Sequence, residues 1–475
     1  MQYNEDYFNS EDFKELLESY ESARQVGEQP FLDPDDLVDL ADYYNYNGEG
    51  DKAVEAIEHA LELYPEATLP NVFKARQALE MGDFETAQHY ADAIGDKNDP
   101  DYHYLTAEIL VAQGDIKKAD RYLRNYAKSV DEDEWEDFVK DCANLYVDYG
   151  VNDKAYQWMM RSKGDDSTDF KELMARTLFG LGKYKDSERL FNELIDRNPY
   201  SSHYWNALAS AQLMDEDYSN AITSSEYAIA INPDDPDGLA SKANGLFRLG
   251  NYEGAFEYFS RLEKLMPDDD LILLNEGVCL VNLQRHQEAV SYLERALEMA
   301  DDESEILPQI YLELAFCYSN MKQPSKALEL IDLAMKQPGD TTDLLVIRGH
   351  ILLENGMLEE AEKTFKKAMR ESGDSPSVML RIIVSLYDNR YVNSSYEMFK
   401  KFFDVVNDYD PDFNKGHAYM ALCCYDLGKY DEFLEYLEMS VERNPREARL
   451  VLGFLFPEGT EPSEYVSFME RKLRN

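Results

Sequence analysis

The chain has 475 residues, 44% of them hydrophobic and 12% aromatic, which is enough apolar material for a large buried core. Its 95 acidic against 47 basic side chains leave a formal net charge of −48, and the first 150 residues alone hold 37 acidic and 12 basic ones. Long-range repulsion of that size excludes nucleic acid and anionic membrane as expected partners and favours basic or apolar protein surfaces.

The first expected element is a helix that Ser10 can cap, with Phe13, Leu16, Leu17, Tyr20 and Ala23 on one face, and residues 1–33 are assigned to an amino-terminal capping helix. From 34 to 447 the chain repeats itself. Units counted from Pro34, Thr68, Pro100, Glu136, Thr168, Ser202, Pro236, Asp270, Pro308, Thr342, Pro376 and Asn414 are mostly 34 residues long. Their eighth position is Ala41, Ala75, Ala107, Ala143, Ala175, Ala209, Ala243, Gly277, Ala315, Gly349 and Ala421, with Ile383 the exception. Position 20 is alanine in nine units, Ser187 and Ser395 in two, and Phe433 in the last. Small residues at two fixed places let paired helices approach closely, while large residues at positions 4, 7, 11 and 24 fill the space between hairpins. Position 15 is glycine in eight of the twelve units, suited to a left-handed helix end, and Pro65, Pro199, Pro233, Pro267 and Pro445 at position 32 stop the second helix.

Four of the units that depart from 34 residues carry a local signal. Those starting at Thr68 and Glu136 are two residues short, and Gly95 and Gly164 predict that their second helices end early. Those starting at Asp270 and Pro376 are four residues long, near Asp301 to Leu307 and Val405 to Phe413, which predicts either a longer second helix by one turn or a looser connection. After the last unit, 448–475 read as carboxy-terminal capping helices, Ala448 to Phe456 and a final one begun by Ser463, separated by Pro457 to Pro462.

A period of this length with these small residues resembles the tetratricopeptide repeat family, and Trp205, Leu208, Ala209, Ala221, Ala228 and Pro233 stand at its signature positions. The resemblance implies an all-α, right-handed superhelical solenoid of about twelve stacked helix-turn-helix repeats with capping helices, and a concave groove lined by the first helix of each pair. It implies a non-catalytic scaffold or adaptor that binds a partner protein or peptide, without naming the client. The alternative is a structural or self-assembling component that uses terminal or convex surfaces.

Helical spacing places positions 2, 5, 9 and 12 opposite the packing positions, so they are the candidate groove. In the first five units they supply an acidic wall: Asp35, Asp42, Asp101, Glu108, Asp137, Asp169 and Glu172. From the eighth unit onward they supply an apolar peptide-binding groove: Leu271, Leu274, Val278, Val281, Leu312, Phe316, Val346, His350, Leu353, Leu380, Val384, Tyr387, Leu422 and Tyr425. Positions 5 and 12 also pack against neighbouring helices, so Val278, Phe316, Val384 and Leu422 at position 9 are expected to be the exposed members. Within the resembled family, a carboxylate clamp uses lysine and asparagine at positions 5 and 9. Lys140 and Asn144 match, with Arg176 on the next groove face, but Leu173 stands where a second asparagine is required, among Asp169 and Glu172.

Nothing in the chain points to catalysis, a cofactor or a metal. The seven histidines show no metal-ligand spacing, and Asp234-Asp-Pro-Asp-Gly238 lacks the twelfth-place glutamate of a calcium loop. Cys142, Cys279, Cys317, Cys423 and Cys424 fall on inward-packing positions and read as small core residues. With no basic-then-apolar leader at the start and no run of about 18 apolar residues, the expectation is a cytoplasmic protein, monomeric and without membrane or nucleic-acid partners.

Overall fold

In the computed structural model, which describes residues 5–25, 30–301, 304–409, 413–457 and 459–474, helices are the only regular elements among the described residues. The chain forms two compact bodies, residues 1–241 and 242–475, and the division falls within the helix Pro236–Arg248.

Each body is a row of helical hairpins. In the first, the hairpins are Pro34–Tyr46 with Gly50–Leu63, Thr68–Glu80 with Phe84–Ala93, Pro100–Ala112 with Ile116–Tyr126, Trp135–Asp148 with Asn152–Met159, Thr168–Gly180 with Tyr184–Arg197, and Ser202–Met214 with Tyr218–Ile231. In the second they are Asp270–Asn282 with His286–Met299, Leu307–Asn320 with Pro324–Ala334, Thr342–Glu354 with Leu358–Glu371, Pro376–Asp388 with Val392–Tyr409, and His417–Asp426 with Tyr430–Arg443. The helix Tyr252–Leu265 precedes them.

The hairpins are closed by small residues and by one recurring turn. The alanines at positions 8 and 20 are fully buried throughout. Where position 8 is glycine, the large residue of position 24 lies over it: a Cβ on Gly277 would sit 2.6 Å from Leu293, and one on Gly349 would sit 2.2 Å from Phe365. Where position 20 is serine, its hydroxyl ties the two helices directly. Ser187 Oγ donates to the Ala175 carbonyl at 2.9 Å and Ser395 Oγ to that of Ile383 at 3.3 Å. At the turn, the N–H of position 16 donates to the carbonyl of position 11 in every repeat, from Glu49 to Tyr44 at the first to Lys429 to Cys424 at the last. That bond requires a left-handed residue between them. Position 15 has positive φ in all twelve repeats, including the four without glycine, where Glu216, Gln284, Lys322 and Arg390 take φ of 59–68°.

The irregular repeats differ in where the length goes. Phe84–Ala93 and Asn152–Met159 are 10 and 8 residues, against 14 for Tyr184–Arg197, so the two short units lose turns from their second helices. In the unit from Pro376 the extra residues lengthen the second helix to 18, Val392–Tyr409. In the unit from Asp270 the second helix keeps 14 residues and the excess lies in the connection from Ala300, whose 302–303 are outside the described residues. At the amino terminus, Ser10 Oγ accepts from Phe13 N–H at 3.2 Å, and Phe13 and Tyr20 bury against Leu37, Leu40, Tyr44 and Ile57. At the other end, Phe456 stacks on Tyr465 at 3.7 Å, closing the final helix onto the last hairpin's core. All five cysteines are buried and free.

One buried charge interrupts the second body. Glu276 is fully buried, its Oε1 accepting from Ser260 Oγ at 2.6 Å while Oε2 has no partner. Burial, assisted by Glu263 and opposed by the Ser260 hydroxyl and Arg295, lifts its carboxyl from 4.5 to about 7. Because the folded value lies above the unfolded one, the carboxyl's stabilising contribution is complete below about pH 4.5 and is lost as pH rises through 7, a difference on the order of 3 kcal/mol.

Exchanging glycine with a bulkier residue has opposite signs at two places: Gly349→Ala lowers stability by about 1–3 kcal/mol through overpacking against Phe365, whereas Glu216→Gly raises it by about 0.5–1 kcal/mol by relieving a left-handed residue. Urea denaturation of the two variants checks this, and equal signs would contradict it. Glu276→Gln is expected to melt several degrees above the wild type at pH 8, with the gap closing toward pH 5; a gap independent of pH would mean that Glu276 does not titrate as described.

Candidate functional site

In the second body, the first helices of four successive repeats, beginning at Asp270, Leu307, Thr342 and Pro376, and that of the last repeat line one open cavity of about 910 Å³. It gathers Val281, Leu312, Phe316, Val346, His350, Leu380 and Val384, seven of the fourteen residues expected from helical spacing. Phe316 is its prominent apolar group, 50% exposed and edge-on to the His286 ring at 5.8 Å. His350 Nδ1 lies 3.3 Å from Ser385 Oγ and 3.4 Å from Asn389 Nδ2, which holds the ring at the wall.

The other seven lie elsewhere. Leu274 and Val278 are buried in the core with Leu273, Ala289 and Leu293, and Leu422 and Tyr425 pack with Phe433. Leu353 lines a separate cleft, Leu271 is exposed away from the cavity, and the Tyr387 hydroxyl donates to Asp426 at 2.5 Å. The expectation that position 9 is the exposed one therefore fails for Val278 and Leu422, at 9% and 6% exposure. Both side chains belong to the buried core clusters of their repeats.

Helical spacing also missed a row. Position 6 faces the cavity in four consecutive repeats, as Glu313, Ile347, Arg381 and Tyr419, and position 13 adds Asn282 and Asn320. Positions 2, 6, 9 and 13 form one helical stripe, and positions 5 and 12 flank it on the packed side. These residues give the apolar cavity its polar groups. Burial raises the Glu313 carboxyl, Arg381 pairs with Asp343, and the Asn282 and Asn320 amides each donate to the carbonyl four residues back, at 2.8 and 2.9 Å. Polar or aromatic groups at position 6 in three of these four repeats were the available signal.

In the first body the acidic wall is partly neutralised from within. Glu108 pairs with Arg76 at 2.9 Å and accepts from the Tyr149 hydroxyl at 3.3 Å, Asp137 pairs with Lys140 at 2.8 Å, and Glu172 lies 3.1 Å from His203. The last contact raises His203 and lowers Glu172. Asp42 borders a polar cavity of about 530 Å³ with Asn45, Arg76, Gln77 and Glu80, where burial and then Asp39 push its carboxyl up to about 6. Asp35 and Asp101 are raised by burial and by the carboxylates around them, Asp33 and Asp99 among them, and Asp169 is exposed. Lys140, the clamp candidate, reaches Asp137 and at 4.0 Å Asp165, and Arg176 reaches Asp148 at 3.5 Å, so both cations already face carboxylates.

Among the described residues no helix is long and apolar enough to cross a membrane. Models described as tetratricopeptide repeat match residues 74–130, 173–236 and 342–374, and the model for anaphase-promoting complex, cyclosome, subunit 3 matches 214–296. The TPR repeat-containing protein MJ1428 of Methanocaldococcus jannaschii is 19% identical over 408 residues, covering 80% of this chain and 71% of the relative. The TPR repeat-containing protein YpiA of Bacillus subtilis is 22% identical over 388 residues, covering 73% and 89%. Among solved structures, the APC/C hetero-tetramer Cut9-Hcn1 is similar over 96% of this chain and 95% of its own, at 13% identity and a TM-score of 0.37. YrrB, a TPR protein with an unusual peptide-binding site, is similar over 42% of this chain and 97% of its own, at 17% identity and a TM-score of 0.35. From the shared register of small residues, the left-handed turn of every hairpin and these family models, the chain belongs to the tetratricopeptide repeat family.

Proposed function

We propose that the protein is a non-catalytic scaffold that takes a segment of a partner protein into the cavity lined by the first helices of the second body. The observation that carries this reading is the convergence of Leu312, Phe316, Val346, Leu380 and Val384 from three repeats on one open cavity of about 910 Å³. An apolar surface of this kind on a protein of net charge −48 is not required for solubility, and covering it with an apolar peptide is favourable. The occupant is a peptide with a short apolar run. Glu313, His350, Asn282 and Asn320 at the edge give its backbone and polar side chains hydrogen-bond partners. A basic stretch beside that run is drawn by the net charge. Five buried free thiols suit a reducing, cytoplasmic setting.

A second reading has one observation in its favour. Leu450 and Phe454, four residues apart near the carboxy-terminal end, are 78% and 72% exposed, a surface that a second copy could cover. Self-association through it predicts a mass that rises with concentration in sedimentation and falls back for Leu450→Asp, Phe454→Asp.

Affinity capture from native lysate, with bound proteins identified by mass spectrometry, tests the first reading. Phe316→Asp is expected to lose the principal bound protein while melting within about a degree of wild type, because the side chain is half exposed. Val278→Asp is expected to lower stability by about 3 kcal/mol or more, because it puts a carboxylate into the core. Retention of every captured protein by folded Phe316→Asp would reject the cavity as the site.

A further inference from the structure

A second open cleft, of about 930 Å³, lies between the second helices of two consecutive repeats, Leu358–Glu371 and Val392–Tyr409. Its floor is Leu353, Met379, Ile382 and Leu386, and its walls carry Phe365, Met369 and Met398. It belongs to the opposite helix of each hairpin from the groove described above and shares no lining residue with that cavity.

We propose that this cleft is a docking site for an amphipathic helix of another protein, with an apolar stripe flanked by carboxylates. Three features of the cleft select that occupant. The first is its shape. The wall from Leu358 to Arg370 spans twelve residues, or about 18 Å. That length is a little over three helical turns, and the cleft is open above an apolar floor of Leu353, Met379, Ile382 and Leu386. A helix therefore lies along the mouth and inserts one stripe, the i, i+3, i+4, i+7 mode of helix-in-groove recognition. The second is the methionine lining. Met369, Met379 and Met398 are flexible and polarizable, and adapt to branched side chains that a rigid wall would reject.

The third is charge. Lys363, Lys366 and Arg370 follow one another at intervals of three and four along the edge. Lys366 is paired with Glu362, while Lys363 and Arg370 form no ion pair among the described residues. Glu362 and Asp374 also line the cleft, so on a chain of net charge −48 its edge carries a row of three cations against two carboxylates beside an apolar floor. The row is drawn out over about 10 Å, the length of two helical turns. A single-headed amphiphile needs its cations at one end of the cleft; a row matches carboxylates at helical spacing on a partner.

The test uses the full-length chain and two fluorescein-labelled model helices of about 20 residues, alike in a leucine stripe, one flanked by glutamates and the other by lysines. By fluorescence anisotropy at physiological salt, the glutamate-flanked helix is expected to bind, and Lys363→Glu, Arg370→Glu to weaken it at least tenfold. Both substituted side chains are exposed, so the fold is retained. Phe316→Asp is expected to leave that affinity within twofold, which separates this site from the first-helix cavity. Absence of binding by the glutamate-flanked helix, or equal binding by the double variant, overturns the proposal. A concentration-dependent mass of the chain alone that the double variant abolishes overturns it as well, by making a second copy the occupant.

Discussion

The close approach of two helices at positions 8 and 20 governs the architecture. An alanine or glycine on each side brings the helix axes near enough for the residue at position 24 to cover the contact, as Leu293 covers Gly277 and Phe365 covers Gly349. The turn must then reverse the chain within three residues, and it does so through a left-handed residue at the same position and the same bond from position 16 to position 11 twelve times over. The inner faces are consumed by this packing. What remains for recognition is the stripe of each first helix that points away from its partner, and the seam between successive second helices.

Much of the scaffold was legible in the residues, because a small side chain at a fixed period has one structural reason. The left-handed turn at Glu216, Gln284, Lys322 and Arg390 was not, since no residue preference marks it there and only the bond it serves reveals it. The two repeats lengthened by four residues looked alike in spacing and resolved differently, one into a longer helix, Val392–Tyr409, and the other into its connection. The division at residue 241, inside Pro236–Arg248, has no composition shift or linker to announce it.

The candidate site was half legible. Spacing assigns a residue to a face of its own helix, and so it found Phe316, His350 and Val384. It does not say how much of that face the surrounding core takes up: Val278 and Leu422 are buried, while Glu313, Ile347, Arg381 and Tyr419 line the cavity. The acidic wall shows the same limit in electrostatic form. Its charges were countable, but the pairing of Glu108 with Arg76, Asp137 with Lys140 and Glu172 with His203 depends on contacts between helices.

A segment of another protein in the first-helix cavity of the second body would lie against Phe316. The most direct measurement of that contact is photocrosslinking in living cells with benzoylphenylalanine in place of Phe316, beside a control at Tyr200, which is 82% exposed in the first body. A peptide from another protein, crosslinked at 316 and absent at 200, is expected. Adducts at 316 that contain only this chain, or a list identical at both positions, would contradict that occupancy.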